Sequence, residues 1–168
     1  MLSPYRKCFI ITKTFSPVHR GIDLYCEKGE PIHAITGGTV LHAGKAINGL
    51  GNMVSIESGT EVYYYGHLDT ITVKAGQAVK QGDVVGTEGN TGNSKGSHLH
   101  LAVVTQRAGN FIDPAPLMGL ADAPIGVPVV YTPDKKTDVS VLSQSPKQAK
   151  VEVTIDGTVY AGTLKRKE

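Results

Sequence analysis

The sequence predicts a mainly β protein: a small antiparallel β-sheet core with a groove, of the barrel-sandwich kind, carrying a β-hairpin appended at its C-terminus. Short β-branched runs recur between Gly, Asn and Asp turn signals, as in compact antiparallel domains. Glycine (20) and proline (9) are abundant and tryptophan is absent among the 168 residues. Stretches with the 3.6-residue apolar period of a helix are scarce. With 40% hydrophobic residues, the chain can bury one proper core but is short for two full domains.

Along the chain, "KCFIITKTF" (7–15) predicts a first strand, ended by Pro17, which has no N–H to donate to a ladder. The rhythm of strand and turn then runs through "GEPIHAITGGTVLHAG", "GNMVSIESGTEVYYYGHL", "TITVKAGQAVKQGDVVGTEGNTGNS" and "HLHLAVV". "NFIDPAPLM" (110–118) closes the domain, with Pro114 and Pro116 stopping any strand. The main domain is therefore expected over 1–118. Residues 119–149, rich in Pro, Ser, Asp and Lys, read as a linker or extended segment, although "IGVPVVY" (125–131) is apolar enough to lie against the core. In 150–168, "KVEVTIDGTVYAGTL" alternates on both sides of Asp156-Gly157, a strong two-residue hairpin signal. A lone hairpin is marginal in water, so this one should dock on the main domain or on another molecule.

Several functional classes are excluded. A formal charge of +2 with scattered basic residues gives no stripe for nucleic acid. No segment approaches the length of a membrane span, and "CFII" is too short for a signal-peptide core, so no export signal is expected in this chain. Cys8 and Cys26 are expected as thiols rather than a disulfide, since nothing marks an oxidising compartment. There is no His-Glu-x-x-His, no Gly-x-Ser-x-Gly elbow, no Walker loop and no Cys-x-x-Cys.

Six histidines remain, at 19, 33, 42, 67, 98 and 100. His19 precedes Asp23 by four residues, a spacing that shares a face in a helix or an extended chain, and Gly21 favours the extended form. His98 and His100 share one face of a strand whose other face carries Leu99, Leu101 and Val103 into the core, so the two rings should look into a cleft or solvent. Their Cα atoms lie about 6.5–7 Å apart. That is wide for two rings on one ion, so one of them is expected to bind metal and the other to face substrate. His19, Asp23 and one of this pair give zinc two imidazoles and a carboxylate, with one tetrahedral position left for water, as in catalytic rather than structural sites. His67, after three tyrosines, suits oxyanion stabilisation or proton transfer. His33 and His42 have no partner nearby in sequence and are assigned to surface or packing roles.

Together, "HRGIDL", "YGHLDTITVKAGQAVKQGDVVGTEGNTGNSKGSHLHL" and "FIDPAPLM" resemble the lysostaphin-type zinc endopeptidases that cleave peptidoglycan peptides, over about Phe15 to Met118. The resemblance implies one zinc per chain on the floor of a groove, and hydrolysis of an amide in a cell-wall stem or cross-bridge peptide. By position it makes His19, Asp23 and His100 the metal ligands, His98 the base or proton shuttle, and His67 the second catalytic histidine. It thereby decides between His98 and His100, which spacing leaves open. In two places the chain departs from the family pattern. "TFSPVHRGID" lacks the longer Phe-Gly-x-Arg element, which lowers one groove wall, and Leu101-Ala102 follows His100 where many members have Phe-Glu. Both bear on substrate preference. A cell-wall site of action without an export signal leaves three routes: a phage lysis or virion protein, a piece of a longer precursor, or export by other machinery.

Three other readings compete. A metal-free histidine phosphocarrier domain shares "HRGIDL" and "VKAGQAVKQGDVV" but has no evident use for His-Leu-His. A noncatalytic cell-wall-binding module would have lost some of the five positions, and here all are filled. A biotinyl or lipoyl carrier would need an exposed lysine in a tight turn, whereas Lys80 sits in a run better suited to a strand approach.

Overall fold

The computed structural model describes residues 3–131 with their side chains and, beyond them, the backbone of strands at 139–145, 148–155 and 158–165. One antiparallel sheet holds most of the strands. These are β1 (Phe9–Lys13), β2 (Ile22–Tyr25), β4 (Gly38–Lys45), β5 (Asn52–Ser58), β6 (Glu61–Leu68), β7 (Ala78–Val79), β9 (Leu99–Thr105), β10 (Asn110–Ile112) and β11 (Pro128–Val129). They follow the order β11-β1-β2-β9-β6-β5-β4-β7, with β10 paired to β9. β3 (Pro31–His33) and β8 (Val84–Thr87) form a two-stranded sheet of their own.

The order matters because β9 runs between β2 and β6. Asp23 faces His100 across the β2–β9 ladder, and His100 faces Gly66 across β9–β6. Three stretches remote in sequence thus meet in one row. β9 is held from beneath by Leu99, Leu101 and Val103, all fully buried, as alternation predicts. The tyrosine run obeys the same period: Tyr63 and Tyr65 turn inward while Tyr64 is partly exposed. The Tyr65 hydroxyl is satisfied by accepting from the Ile35 N–H at 2.9 Å, so a deeply buried polar group has its partner.

Past Met118 the chain does not leave the core. A short 3₁₀ turn at Pro116–Met118 ends on Gly119 in the left-handed region. Leu120 and Val129 are then buried, and β11 adds to the edge of the sheet, pairing Val129 with Phe9 and Pro128 with Ile10. Proline is tolerated there because an edge strand needs no second ladder. Packed residues therefore extend to Val129, beyond the boundary expected at 118, through the apolar "IGVPVVY". The segment expected as linker also contains β12 (Val139–Ser145), which joins β13 (Gln148–Ile155) and β14 (Thr158–Lys165) in a separate three-stranded sheet. Ile155 pairs with Thr158, leaving two residues for the connection, as a hairpin turn requires. Asp156 and Gly157 themselves lie outside the described residues. β12 was illegible because its Val-x-Val alternation sits in a Ser- and Asp-rich context.

Candidate metal centre

Four histidines and one aspartate gather where β2, β6 and β9 meet. His19 Nε2 lies 2.9 Å from Asp23 Oδ2, and His100 Nδ1 lies 2.7 Å from Asp23 Oδ1. The ligand atoms of His19, Asp23 and His100 are all within 4.8 Å of one another. His98 Nε2 is farther from Asp23, at 3.7 Å, beyond hydrogen-bond reach. The His67 ring stands beside His98, with centroids 4.7 Å apart, and 6.0 Å from His100.

The local chain explains how each ring arrives. His19 is neither helical nor extended. Its N–H and that of Arg20 both donate to the Ser16 carbonyl, closing a turn, and Arg20 takes φ 55°. Asp23 is in the strand, as expected. β9 starts at Leu99, so His98 precedes it, held by its N–H donating to the Gly89 carbonyl at 3.0 Å. His67 adopts φ 61° near the end of β6, with its N–H donating to the Leu50 carbonyl at 2.7 Å. Positive φ in non-glycine residues is strained and collects at functional sites.

Backbone carbonyls fix the orientation of three rings. His19 Nδ1 is 3.0 Å from the Thr14 carbonyl, His67 Nδ1 is 2.8 Å from that of Thr91, and His98 Nδ1 is 2.8 Å from that of Gly96. A carbonyl only accepts, so each Nδ1 carries a proton, and it is Nε2 that each ring has left to offer as a lone-pair donor. For His19 this sets two lone-pair-bearing atoms, Nε2 and Asp23 Oδ2, face to face at 2.9 Å. Such a contact is attractive only with a cation or a proton between them. The donor set therefore fits a zinc ion: two imidazole nitrogens and a carboxylate, with a carbonyl behind His19 of the kind that orients metal-binding histidines.

Burial alone would raise the Asp23 carboxyl. The hydrogen bond with His100 and the imidazoles of His100, His19 and His98 outweigh it and hold the carboxyl below its ordinary range, so it is an anion at neutral pH. The His67 pKa is lowered as well, which for an imidazole favours the neutral form: burial pushes it down, against the Thr91 carbonyl, which raises it. It is neutral in the resting protein.

All five residues singled out in the sequence thus meet. His33 and His42 do not. His33 Nδ1 donates to the Gly82 carbonyl at 2.9 Å, and His42 Nε2 is enclosed on β4 without a hydrogen-bond partner. Sequence reasoning missed the groups that hold the rings, Thr14, Thr91 and Gly96, because they act through backbone carbonyls, which carry no side-chain signature. Thr91 does have one. Its hydroxyl accepts from the Asn52 N–H and donates to the Leu68 carbonyl, and Gly92 lets it close on Gly51, where a Cβ would sit 2.3 Å from the Gly51 nitrogen. The "NTGN" turn signal marked that approach.

Residues 17–114 match the sequence model of Peptidase family M23. The glycyl-glycine endopeptidase ALE-1 of Staphylococcus capitis is 35% identical over 104 residues, covering 60% of this chain and 29% of that protein. The murein hydrolase activator NlpD of Salmonella dublin is 37% identical over 86 residues, covering 51% of this chain and 22% of its own. The solved catalytic domain of lysostaphin from Staphylococcus simulans superposes with a TM-score of 0.57 at 29% identity, covering 68% of this chain and 92% of that one. A zinc-containing peptidase from Vibrio cholerae gives 0.59 at 31% identity, covering 67% and 38%. The chain spans about a third or less of the curated relatives it matches.

Proposed function

Since this chain belongs to peptidase family M23, we propose that it is a zinc-dependent endopeptidase that hydrolyses an amide bond in peptidoglycan stem or cross-bridge peptides. It would act at the cell wall. The observation that carries the reading is the convergence of His19, Asp23 and His100 within 4.8 Å, beside two further rings, His67 and His98, each held through Nδ1 by a backbone carbonyl. One zinc per chain would be held by those three residues. When bound, zinc supplies a Lewis acid that acidifies water toward a pKa of ~7 and polarises an amide carbonyl.

The chain's own groups do the rest. His98, with Nδ1–H committed to Gly96, accepts the proton of the attacking water at Nε2 and delivers it to the departing amine. His67 donates from Nε2 only when protonated. Its lowered pKa keeps the resting ring neutral, so Nε2 first takes up a proton from solvent; the imidazolium then donates a hydrogen bond to the tetrahedral oxyanion and returns that proton to solvent as the intermediate collapses. Asp23 balances the positive charge of the centre, and its anionic state is favoured by the three imidazoles around it. Val18, almost fully exposed next to His19, offers an apolar surface beside the site for a substrate peptide.

Family membership alone does not entail hydrolysis, since relatives include a murein hydrolase activator. What favours the enzyme here is that no metal or catalytic position is vacant and every ring is oriented. The test is digestion of purified peptidoglycans of differing cross-bridge chemistry by the zinc-loaded, zinc-stripped and zinc-restored protein, with mass spectrometry of the fragments. New amino termini that appear only with zinc support the proposal. Zinc bound at unit stoichiometry with no cut in any wall would replace it with the noncatalytic wall-binding reading.

A further inference from the structure

We propose that Glu88 and Ser97 form a positioning pair that sets the orientation of His98, so that a buried carboxylate outside the metal centre controls the proton-transfer step. The inference rests on the reading of His98 given above. Glu88 follows β8 and has no solvent exposure at all. Its Oε2 accepts from the Tyr5 hydroxyl at 2.5 Å and from the Cys26 N–H at 2.9 Å, and its Oε1 accepts from the Ser97 hydroxyl at 2.8 Å. Its backbone is fixed as well: its N–H donates to the Glu30 carbonyl at 2.8 Å, and its carbonyl accepts from the Gly29 N–H at 2.9 Å. The carboxylate is a rigid anchor. All three donors to it are neutral, and no ion pair reaches it among the described residues. Burying a carboxylate without a counter-charge is unfavourable compared with an apolar group of the same shape, so stability alone does not explain it.

What Glu88 reaches does. Ser97 ends the turn that leads into His98, and His98 is itself clamped by its N–H to the carbonyl of Gly89, the residue after Glu88. Two consecutive residues, 88 and 89, thus grip two consecutive residues, 97 and 98. Within the same turn the Gly96 carbonyl accepts from the Ser94 hydroxyl at 2.8 Å and from His98 Nδ1–H at 2.8 Å. Ser97 follows that carbonyl directly. With its hydroxyl released from Glu88, Ser97 loses its side-chain anchor, and the Gly96 carbonyl that orients the His98 ring is then held only by the Ser94 hydroxyl, itself 3.3 Å from His98 Nδ1, and by the His98 N–H on Gly89. Neither side chain hydrogen-bonds a ring or carboxylate of the centre, so their effect runs through Gly96 onto His98.

Ser97 is only half-buried, so Ser97→Ala is a mild change to the fold. In the full-length protein we expect Ser97→Ala to keep one zinc and a KM within about twofold of wild type. Its kcat should fall about tenfold or more, a fraction of the 10²–10⁴ that a positioned acid–base group supplies. Ser97→Thr, which restores the hydroxyl, should recover most of the loss. Glu88→Gln has one oxygen where three donors converge and should lower kcat in the same way, with Ser97→Ala adding less on top of it than in wild type. Long-range ¹H–¹⁵N spectra of the imidazoles should show His98 as a single Nδ1–H tautomer in wild type and a tautomer mixture in Ser97→Ala. Wild-type kcat in Ser97→Ala, unchanged His98 ring-nitrogen signals, or a kcat loss matched by zinc loss would each overturn the positioning role. If wild type itself cleaves nothing, the proposed function fails, and the ring-nitrogen spectra still decide whether Glu88 and Ser97 orient His98.

Discussion

Gly21→Ala probes whether packing, as well as donor chemistry, holds the centre. A methyl group at Gly21 would lie 2.6 Å from His100 Cε1, 2.7 Å from His100 Nε2 and 2.8 Å from the Leu101 carbonyl oxygen. Carbon atoms in contact sit at about 3.5–4.0 Å, so the neighbours must retreat by roughly 1 Å. The Leu101 carbonyl belongs to the β2–β9 ladder, where Leu101 faces Ile22, and cannot give without breaking that register. The His100 ring must move instead, and with it the Nδ1 that lies 2.7 Å from Asp23. Metal sites tolerate about 0.2 Å of ligand displacement. A shift several times larger should lower zinc affinity at least as much as losing an outer-shell partner does, about 10–100-fold. Overpacking should also destabilise the metal-free fold by about 1–3 kcal/mol. Competition against a chromophoric chelator measures the first effect, and urea unfolding of the metal-free protein the second. Zinc affinity within twofold of wild type, with an unchanged unfolding midpoint, would mean that His100 does not pack on Gly21 and that the ligand set is misassigned.

The remaining predictions concern the other parts of the site and the fold. His19→Ala or Asp23→Ala should abolish zinc retention by metal analysis, and His98→Ala should keep the zinc while losing about 10²–10⁴ in turnover. For His67, the folded pKa lies below the unfolded value, so the unfolded state binds more protons between them. The neutral ring's contribution is then present above about pH 6.5 and is lost as pH falls toward the folded pKa; in urea titrations of the metal-free protein, His67→Gln should flatten that part of the pH dependence, and an unchanged slope would count against the buried neutral ring. Burial pushes the Cys26 thiol up to about 11, so alkylation of the native protein at pH 8 should modify exposed Cys8 well before Cys26, with equal labelling only after unfolding. Removing residues 132–168 should leave zinc binding intact, because every site residue and the closing strand β11 precede the cut. Removing 119–168 should lower stability by several kcal/mol through loss of buried Leu120 and Val129, measured by thermal unfolding.

Much of the site was legible because its chemistry needs side chains with distinctive spacing. His-x-His beside alternating Leu99, Leu101 and Val103 showed that the rings turn away from the core side of β9, although His98 itself precedes the strand, and those three residues are buried. The class of fold followed from turn residues set between short β-branched runs, with little helical periodicity. What was not legible depended on contacts between remote segments. Spacing left His98 and His100 equivalent as ligands; their difference lies in Asp23 pairing with His100 across β2–β9, a register set by the whole sheet. β11 was only a weak candidate, since two residues at an edge leave almost no periodic trace. Glu88 was invisible as anything but part of a turn, because its partners Tyr5, Cys26 and Ser97 come from three loop segments remote in sequence from one another.

His19 and Asp23 show why a shared face is not yet a site. In a regular strand, residues four apart point the same way but stand about 13 Å apart along the axis, too far to grip one ion. Here their ring and carboxylate come within 2.9 Å. The missing distance is removed at Arg20, whose φ of 55° folds the chain back after the Ser16 turn. That conformation is unfavourable for a side-chain-bearing residue and must be held by its surroundings. The paired N–H donors of His19 and Arg20 on one carbonyl hold it from one side. From the other, the Arg20 guanidinium lies over the Phe111 ring at 5.3 Å, tying the turn to β10 and hence to the strand that bears His100. The same device recurs at His67, left-handed at 61° and pinned by Leu50 and Thr91. At both strained positions the chain turns a histidine off the regular sheet geometry and toward the ring cluster around Asp23, which a flat antiparallel ladder could not do.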